Sequence, residues 1–256
     1  MPANSFPDWS AVRCVLLDMD GTLLDLAFDN HLWMEAVPER YARQHGLSLQ
    51  AARAELAPRF HAVAHTLPWY DLDHWTRQTG IDMAALHQEL RPRVQVLDGS
   101  LAFLDAVRAS GRPIWLTTNA HPDSWRPKLE QTGLAPYFEH IVSSNDLQAP
   151  KEDRRYWQGL AERHGMVAAE CLFADDSRPV LEAADPAPVG APVAAADAAA
   201  EPAAPAAVGQ AKTNVEKMLH ERKKSDAVIS GGCGGGCGRG GGGRGGGGAR
   251  RLLLEG

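Results

Sequence analysis

A Rossmann-like α/β fold, with a parallel sheet and a helical cap inserted after the first strand, is predicted by three observations. Short apolar runs end in polar residues, as in VRCVLLDMD and IWLTTN. Segments of helical periodicity separate the later runs, which is the pattern of crossovers between parallel strands. A long stretch without strand character, residues 26 to 96, stands between the first run and the rest.

The first run, VRCVLLDMD, is apolar almost throughout, as expected of a parallel strand buried on both faces. In residues 26 to 96 the spacing predicts helices near 30–45, 49–66, 69–79 and 82–91. Ligands of open α/β sheets bind beyond the carboxyl ends of the strands, so an insertion at that edge reads as a lid. In DGSLAFLDAVRASGRPIWLTTN, Ser100 is expected to cap a helix that turns Leu101, Leu104 and Val107 to one face. Gly111 ends that helix, Pro113 follows, and IWLTT is the second strand. A helix from Asp123 to Gln131, a strand HIVSS, a helix from Glu152 to His164 and a strand CLFAD complete the pattern. The expected parts are a core of residues 1–25 and 97–185, a cap of residues 26–96, and a tail of residues 186–256.

The tail differs in composition. Residues 183 to 211 are mostly Ala and Pro, and residues 231 to 248 are Gly broken only by Cys and Arg. Neither stretch buries enough apolar surface to offset the entropy of ordering it, so disorder is expected, with one short helical pattern at KTNVEKMLHERKK. The chain carries a net charge of −6, yet from Asp185 onward nine Lys/Arg outnumber seven Asp/Glu. GRGGGGRGGGG lacks the interleaved aromatics of a nucleic-acid segment, so no nucleic-acid partner is expected. Cys233 and Cys237 have no second pair with which to hold zinc, and His61 and His65 in HAVAH lack the acid of a metalloprotease helix. Cys14, Cys171, Cys233 and Cys237 are spaced too unevenly for a disulfide framework, and the start MPANSFPDWSAVR has no apolar run. A reducing cytoplasm is the expected location. No uncharged apolar stretch is long enough for a membrane span.

Four polar stations follow apolar runs in order: Asp18 and Asp20, Thr117 and Thr118, Lys151, and Asp175 with Asp176. One parallel sheet would bring them to a single edge. Phosphoryl transfer through an aspartyl-phosphate needs such a set. One carboxylate attacks phosphorus, and a second, two residues on and on the same side of an extended strand, serves as acid and then base. A cation held by further carboxylates offsets charge repulsion, while a hydroxyl and a lysine hold the phosphate oxygens.

The pattern DMDGT, a later threonine, a lysine and a paired acid together resemble the haloacid dehalogenase-like hydrolases. The dehalogenase branch lacks the second aspartate, so Asp20 favours a phosphatase. LLDMDGTLLDLAFDN, HTLPWYDLDHW, LTTNAHP, PKED and LFADDS resemble the bacterial GMP/IMP nucleotidases of that superfamily, over residues 10 to 184. This resemblance implies a magnesium-dependent phosphatase for a small phosphomonoester, a purine 5′-nucleotide. It makes Asp18 the nucleophile and a magnesium ligand, and Asp20 the general acid/base that lends the metal its backbone carbonyl. Thr118 and Asn119 become the phosphate station, Thr118 rather than Thr117 because Asn follows it, and Lys151 the neutralising lysine. Asp176 becomes a direct metal ligand and Asp175 one acting through water. Trp33, Trp69, Tyr70 and Trp75 concentrate aromatic surface in the cap, and Trp69, Tyr70 and Trp75 are the candidates for stacking on the base, with packing as the alternative. A phosphatase for a sugar phosphate, or an inactive remnant that only binds, are the competing readings.

In the resembling family another strand follows the helix after the paired acids. Here PAPVGAPVAAAD stands where that strand would be, so the last core strand is expected to be missing and CLFAD to lie at a bare edge. Ala, Pro, Gly and Arg share GC-rich codons, which suggests that residues from about 185 are read out of frame. A strand-like ending in another frame of the gene would bear this out.

Overall fold

The computed structural model describes residues 9–184. Strand β1 (Cys14–Leu17) is wholly buried, as its apolar sequence requires. The chain then turns sharply, with the Leu23 and Leu24 amides donating to Met19 O and the Gly21 amide to Leu24 O. Asp20 therefore lies in a turn and not on an extended strand, so the expected period-two alignment with Asp18 does not place it.

Helix α1 (Ala27–His31) runs through a π turn (Leu32–Ala36) into α2 (Val37–His45). The widened turn has a local cause. Pro38 has no N–H for the Met34 carbonyl one turn back, and that carbonyl accepts instead from Arg53 Nη2 at 3.0 Å. Helix α3 (Leu49–Val63) is capped by Ser48 and ends earlier than expected, because His65 adopts a left-handed φ of 61°. The expected helix 69–79 is divided into α4 (Leu67–Tyr70) and α5 (Leu72–Thr79). Asp71 separates them by capping α5, its Oδ1 accepting from the Asp73 amide at 2.9 Å. Helix α6 (Met83–Leu90) is capped by Asp82.

Helix α7 (Ser100–Ala109) corrects the expected cap. Gly99, at φ 87°, takes the cap position, and the Ser100 hydroxyl donates to Leu23 O at 3.2 Å. Its buried face is Phe103, Leu104 and Val107, while Leu101 is exposed. There follow β2 (Ile114–Thr118), α8 (Pro122–Thr132), β3 (His140–Ser143), α9 (Ser144–Leu147), α10 (Arg154–His164), β4 (Cys171–Ala174) and α11 (Arg178–Ala184).

The four strands form one parallel sheet in the order β3-β2-β1-β4. One face of β1, through Val15 and Leu17, joins an apolar cluster that continues through Leu116, Phe103 and Leu104 into Leu32, Leu56, Trp75 and Met83 of the helices between β1 and β2. The other face, through Cys14 and Leu16, packs with Trp115, Val142, Tyr156, Trp157 and Val180. Among the described residues β4 is an outer strand and only half-buried. The expectations for residues 186–256, with the missing strand and the out-of-frame ending, lie outside the described residues. No helix among the described residues is long and apolar enough to cross a membrane.

Candidate active site

The site follows from the sheet register. Leu17 pairs with Ala174, so the next residue on each strand, Asp18 and Asp175, emerges side by side at the carboxyl edge. The Asp18 amide donates to Ala174 O at 3.0 Å and fixes this step. On the other side, Leu17 pairs with Leu116, which brings Thr117 and Thr118 to the same edge.

Lys151 reaches this edge from the loop before α10. Its Nζ lies 2.6 Å from Asp18 Oδ1, 2.6 Å from Asp175 Oδ2 and 2.9 Å from Thr117 O. The lysine is fully buried, and Trp157 Nε1 donates to its carbonyl at 2.7 Å. Burial opposes its charge, but Asp18 and Asp175 outweigh that and hold the ammonium above its ordinary value. The Asp18 carboxyl is pushed up by burial, with Asp175 and Asp176 adding to the shift and Lys151 opposing it.

Asp176 lies against Gly21. A Cβ on Gly21, whose φ is 83°, would meet the Asp176 carboxylate, with Cγ only 2.8 Å away. The missing side chain is thus what lets the paired acid close over the β1 turn. Ligand oxygens of Asp18, Asp175 and Asp176 all lie within 4.8 Å of one another. Three hard carboxylate oxygens at this spacing fit an oxygen-loving divalent cation such as magnesium. The other such group among the described residues is Asp71, Asp73 and His121, and neither group includes His61 or His65.

The two residues expected to hold phosphate make contacts within the protein. Thr118 is buried, and its Oγ1 accepts from the Ala120 amide at 3.0 Å. Asn119 supports the lysine loop: Oδ1 accepts from the Lys151 amide at 2.8 Å, and Nδ2 donates to Glu152 Oε2 at 3.0 Å. The Ser144 hydroxyl secures the Asn119 carbonyl at 2.8 Å.

Asp20 stands on a different lysine. Lys128 Nζ, from α8, lies 2.8 Å from Asp20 Oδ1 and 2.8 and 2.9 Å from the two oxygens of Asp29 on α1. Burial first, then the neighbouring Asp29, pushes the Asp20 carboxyl up to about 6 against the pull of Lys128. Neither Lys128 nor Asp29 was among the residues expected here. A signal exists in α8, where the buried positions Ser124, Pro127, Lys128 and Leu129 include one charge.

The aromatic candidates separate. Trp75 is 1% exposed, and edge contacts from Trp33, Phe60 and Trp69 enclose its ring at 4.9–5.9 Å. Its Nε1 donates to Trp69 O at 2.8 Å. Of the two readings, stacking and packing, Trp75 therefore fits packing, its ring presenting no face on which a base could stack. Trp69 is partly buried against the same cluster, and Tyr70 donates its hydroxyl to Glu152 Oε1.

Fold and site together define an α/β enzyme with a buried carboxylate beside a fixed lysine at the carboxyl edge of a parallel sheet. The chain belongs to the haloacid dehalogenase-like hydrolases, whose family model matches residues 12–187. It is 45% identical over 176 residues to the GMP/IMP nucleotidase YrfG of Escherichia coli (strain K12), across 69% of this chain and 79% of that protein. Over 81 residues it is 35% identical to the phosphoglycolate phosphatase of the same organism, across 32% of each chain. Among solved structures, the HAD phosphatase from Thermococcus onnurineus aligns with a TM-score of 0.57 at 24% identity, across 63% of this chain and 76% of that one, a likeness of fold.

Proposed function

We propose that the chain is a phosphatase for purine 5′-nucleotides, releasing nucleoside and phosphate from GMP and IMP. The observation that carries this reading is the 45% identity to a GMP/IMP nucleotidase over 79% of that protein's length. The juxtaposition of Asp18, Lys151, Asp175 and Asp176 supports the same chemistry.

In this reading an Asp18 oxygen attacks phosphorus. The bond to the ribose O5′ breaks, its electron pair goes to O5′, and O5′ takes the proton of Asp20. A carboxyl raised to about 6 keeps a protonated share near neutrality, which suits that task. Asp20, now a carboxylate, then removes a proton from water, and the oxygen attacks the phosphoryl group. The bond to Asp18 breaks, its electrons return to the carboxylate, and orthophosphate leaves. Lys151 stabilises charge on Asp18 and on the transferring group, and Thr118 with the adjoining backbone holds phosphate oxygens. Asp18, Asp175, Asp176 and the Asp20 carbonyl would hold magnesium, which when bound supplies positive charge against the repulsion between nucleophile and phosphate.

A second reading, a phosphatase for a smaller phosphomonoester such as a sugar phosphate, draws on the 35% identity to a phosphoglycolate phosphatase. The test is phosphate release from GMP, IMP, phosphoglycolate and ribose 5-phosphate with magnesium, for the full chain beside its Asp18→Asn variant. Preference for GMP and IMP that vanishes in the variant supports the first reading. Preference for the small esters replaces it with the second, and no release from any ester leaves a chain that at most binds nucleotides.

A further inference from the structure

Lys128 is 1% exposed and places its ammonium between two carboxylates that come from different parts of the chain. Asp20 lies in the turn after β1, and Asp29 on α1, the first of the helices that follow. The ammonium also lies 4.9 Å from the centre of the Phe28 ring. Burying an ion triad of this kind brings little net stability, since desolvation takes back most of the Coulombic gain. Its value has to be sought in what it orients.

The local backbone gives Asp20 little guidance. Asp20 sits in a reversal of the chain, bridged to Leu24 but outside the four-stranded sheet, so the sheet register does not set the direction of its side chain. Lys128 supplies the missing reference, 2.8 Å from Oδ1, and so sets the plane of the carboxyl group. Lys128 is itself held by both oxygens of Asp29, so its position follows α1.

We propose that Lys128, anchored by Asp29, is a positioning residue that aims the Asp20 carboxyl at the leaving oxygen and ties proton delivery to the seating of α1. This rests on the phosphatase reading given above. The proton concerned is the one Asp20 passes to the ester oxygen as the bond to phosphorus breaks. An ester whose leaving group departs as a stable anion does not need it. A primary alkoxide such as ribose O5′ needs it, and p-nitrophenolate does not.

The test compares kcat/KM, which reports the first phosphoryl transfer, for GMP and for p-nitrophenyl phosphate in wild type, Asp20→Asn, Lys128→Met and Asp29→Asn. General acid catalysis contributes about 10²–10⁴-fold. Lys128→Met is therefore expected to lose about a hundredfold or more on GMP and less than about tenfold on p-nitrophenyl phosphate, the pattern of Asp20→Asn. Asp29→Asn is expected to show the same selectivity with a smaller loss. Asp20→Asn combined with Lys128→Met should be no more selective than Asp20→Asn alone. Equal losses on both esters, or none, would overturn the proposal by reducing Lys128 to a packing residue or a bystander. If Lys128→Met does not fold, Asp29→Asn, which keeps the side-chain shape, decides on the same criterion. Wild type that refuses GMP would overturn the nucleotide reading alone. Ribose 5-phosphate, with the same leaving oxygen, then takes its place, and the criterion for Lys128 is unchanged.

Discussion

The Tyr70 hydroxyl donates to Glu152, whose other oxygen accepts from Asn119. A helix between β1 and β2 is thereby tied to the loop that carries Lys151. Burial, then the adjacent Glu152, pushes the Tyr70 hydroxyl well above its ordinary value and keeps it a donor. Tyr70→Phe removes a bond to a charged group worth about 1.5–3 kcal/mol. We predict that KM for GMP rises about tenfold or more while kcat changes less, because the loss falls on the tie between Tyr70 and the Lys151 loop and not on the reacting atoms. Steady-state kinetics decides, and a fall in kcat at constant KM would sink the idea.

Gly21 predicts a metal phenotype from a residue that offers no ligand. Alanine there places a methyl group against the Asp176 carboxylate and strains a left-handed backbone. The expected result is a rise of about 10–100-fold in the magnesium concentration for half-maximal activity, the range seen when groups supporting a metal are disturbed. An unchanged magnesium titration would show that Asp176 yields without consequence.

Trp69 and Trp75 should part company when each is changed to leucine. Trp75→Leu removes a buried ring and is expected to cost about 2–3 kcal/mol of stability. A domain of this size then melts roughly 5–10 °C lower. Trp69→Leu should melt closer to wild type but raise KM for GMP about fivefold or more, given that base stacking is worth about 1–3 kcal/mol. Melting curves and KM values for both variants check this, and an unaltered KM in Trp69→Leu removes that ring from base recognition.

His87 predicts an acid limb in stability. It is buried, its Nδ1 donates to Met83 O at 2.8 Å, and burial first, then the charge of Lys128, lowers its pKa from 6.5 to about 4. The unfolded chain thus binds the proton at a higher pH than the folded one. The stability from a neutral His87 is complete above about pH 6.5 and is lost as pH falls toward 4, at about 1.4 kcal/mol per pH unit. Urea midpoints at pH 7.5 and pH 5 should converge in His87→Gln relative to wild type. An equal gap between the two midpoints in both proteins would place the acid sensitivity elsewhere.

The strand ends were legible because each apolar run carries its polar residue just beyond it. Asp18, Thr118, Lys151 and the Asp175–Asp176 pair stand at the expected edge for that reason. The direction of the Asp20 carboxyl was not legible, because a turn of about five residues replaces the strand that alternation assumes. Lys128, Asp29 and the Tyr70–Glu152 bond were missed because they join residues distant in sequence, and the one local sign, a single charge on the buried face of α8, does not name its partners. The choice between stacking and packing for Trp75 was not legible, because aromatic residues in a helical segment have the same sequence signature whether they face a ligand or one another.

The position of β1 inside the sheet has a consequence for biosynthesis. Val15 pairs with Ile114 on one side and Leu172 on the other, so the ribosome must add about 100 residues before the first neighbour exists and about 160 before the second. At about 5–20 residues per second the strand that leads to Asp18 waits on the order of ten seconds with both edges open. Its apolar CVLL segment is then a target for chaperones or for wrong pairing. The strand at the centre of the sheet is the first part of it to be made and among the last to be enclosed.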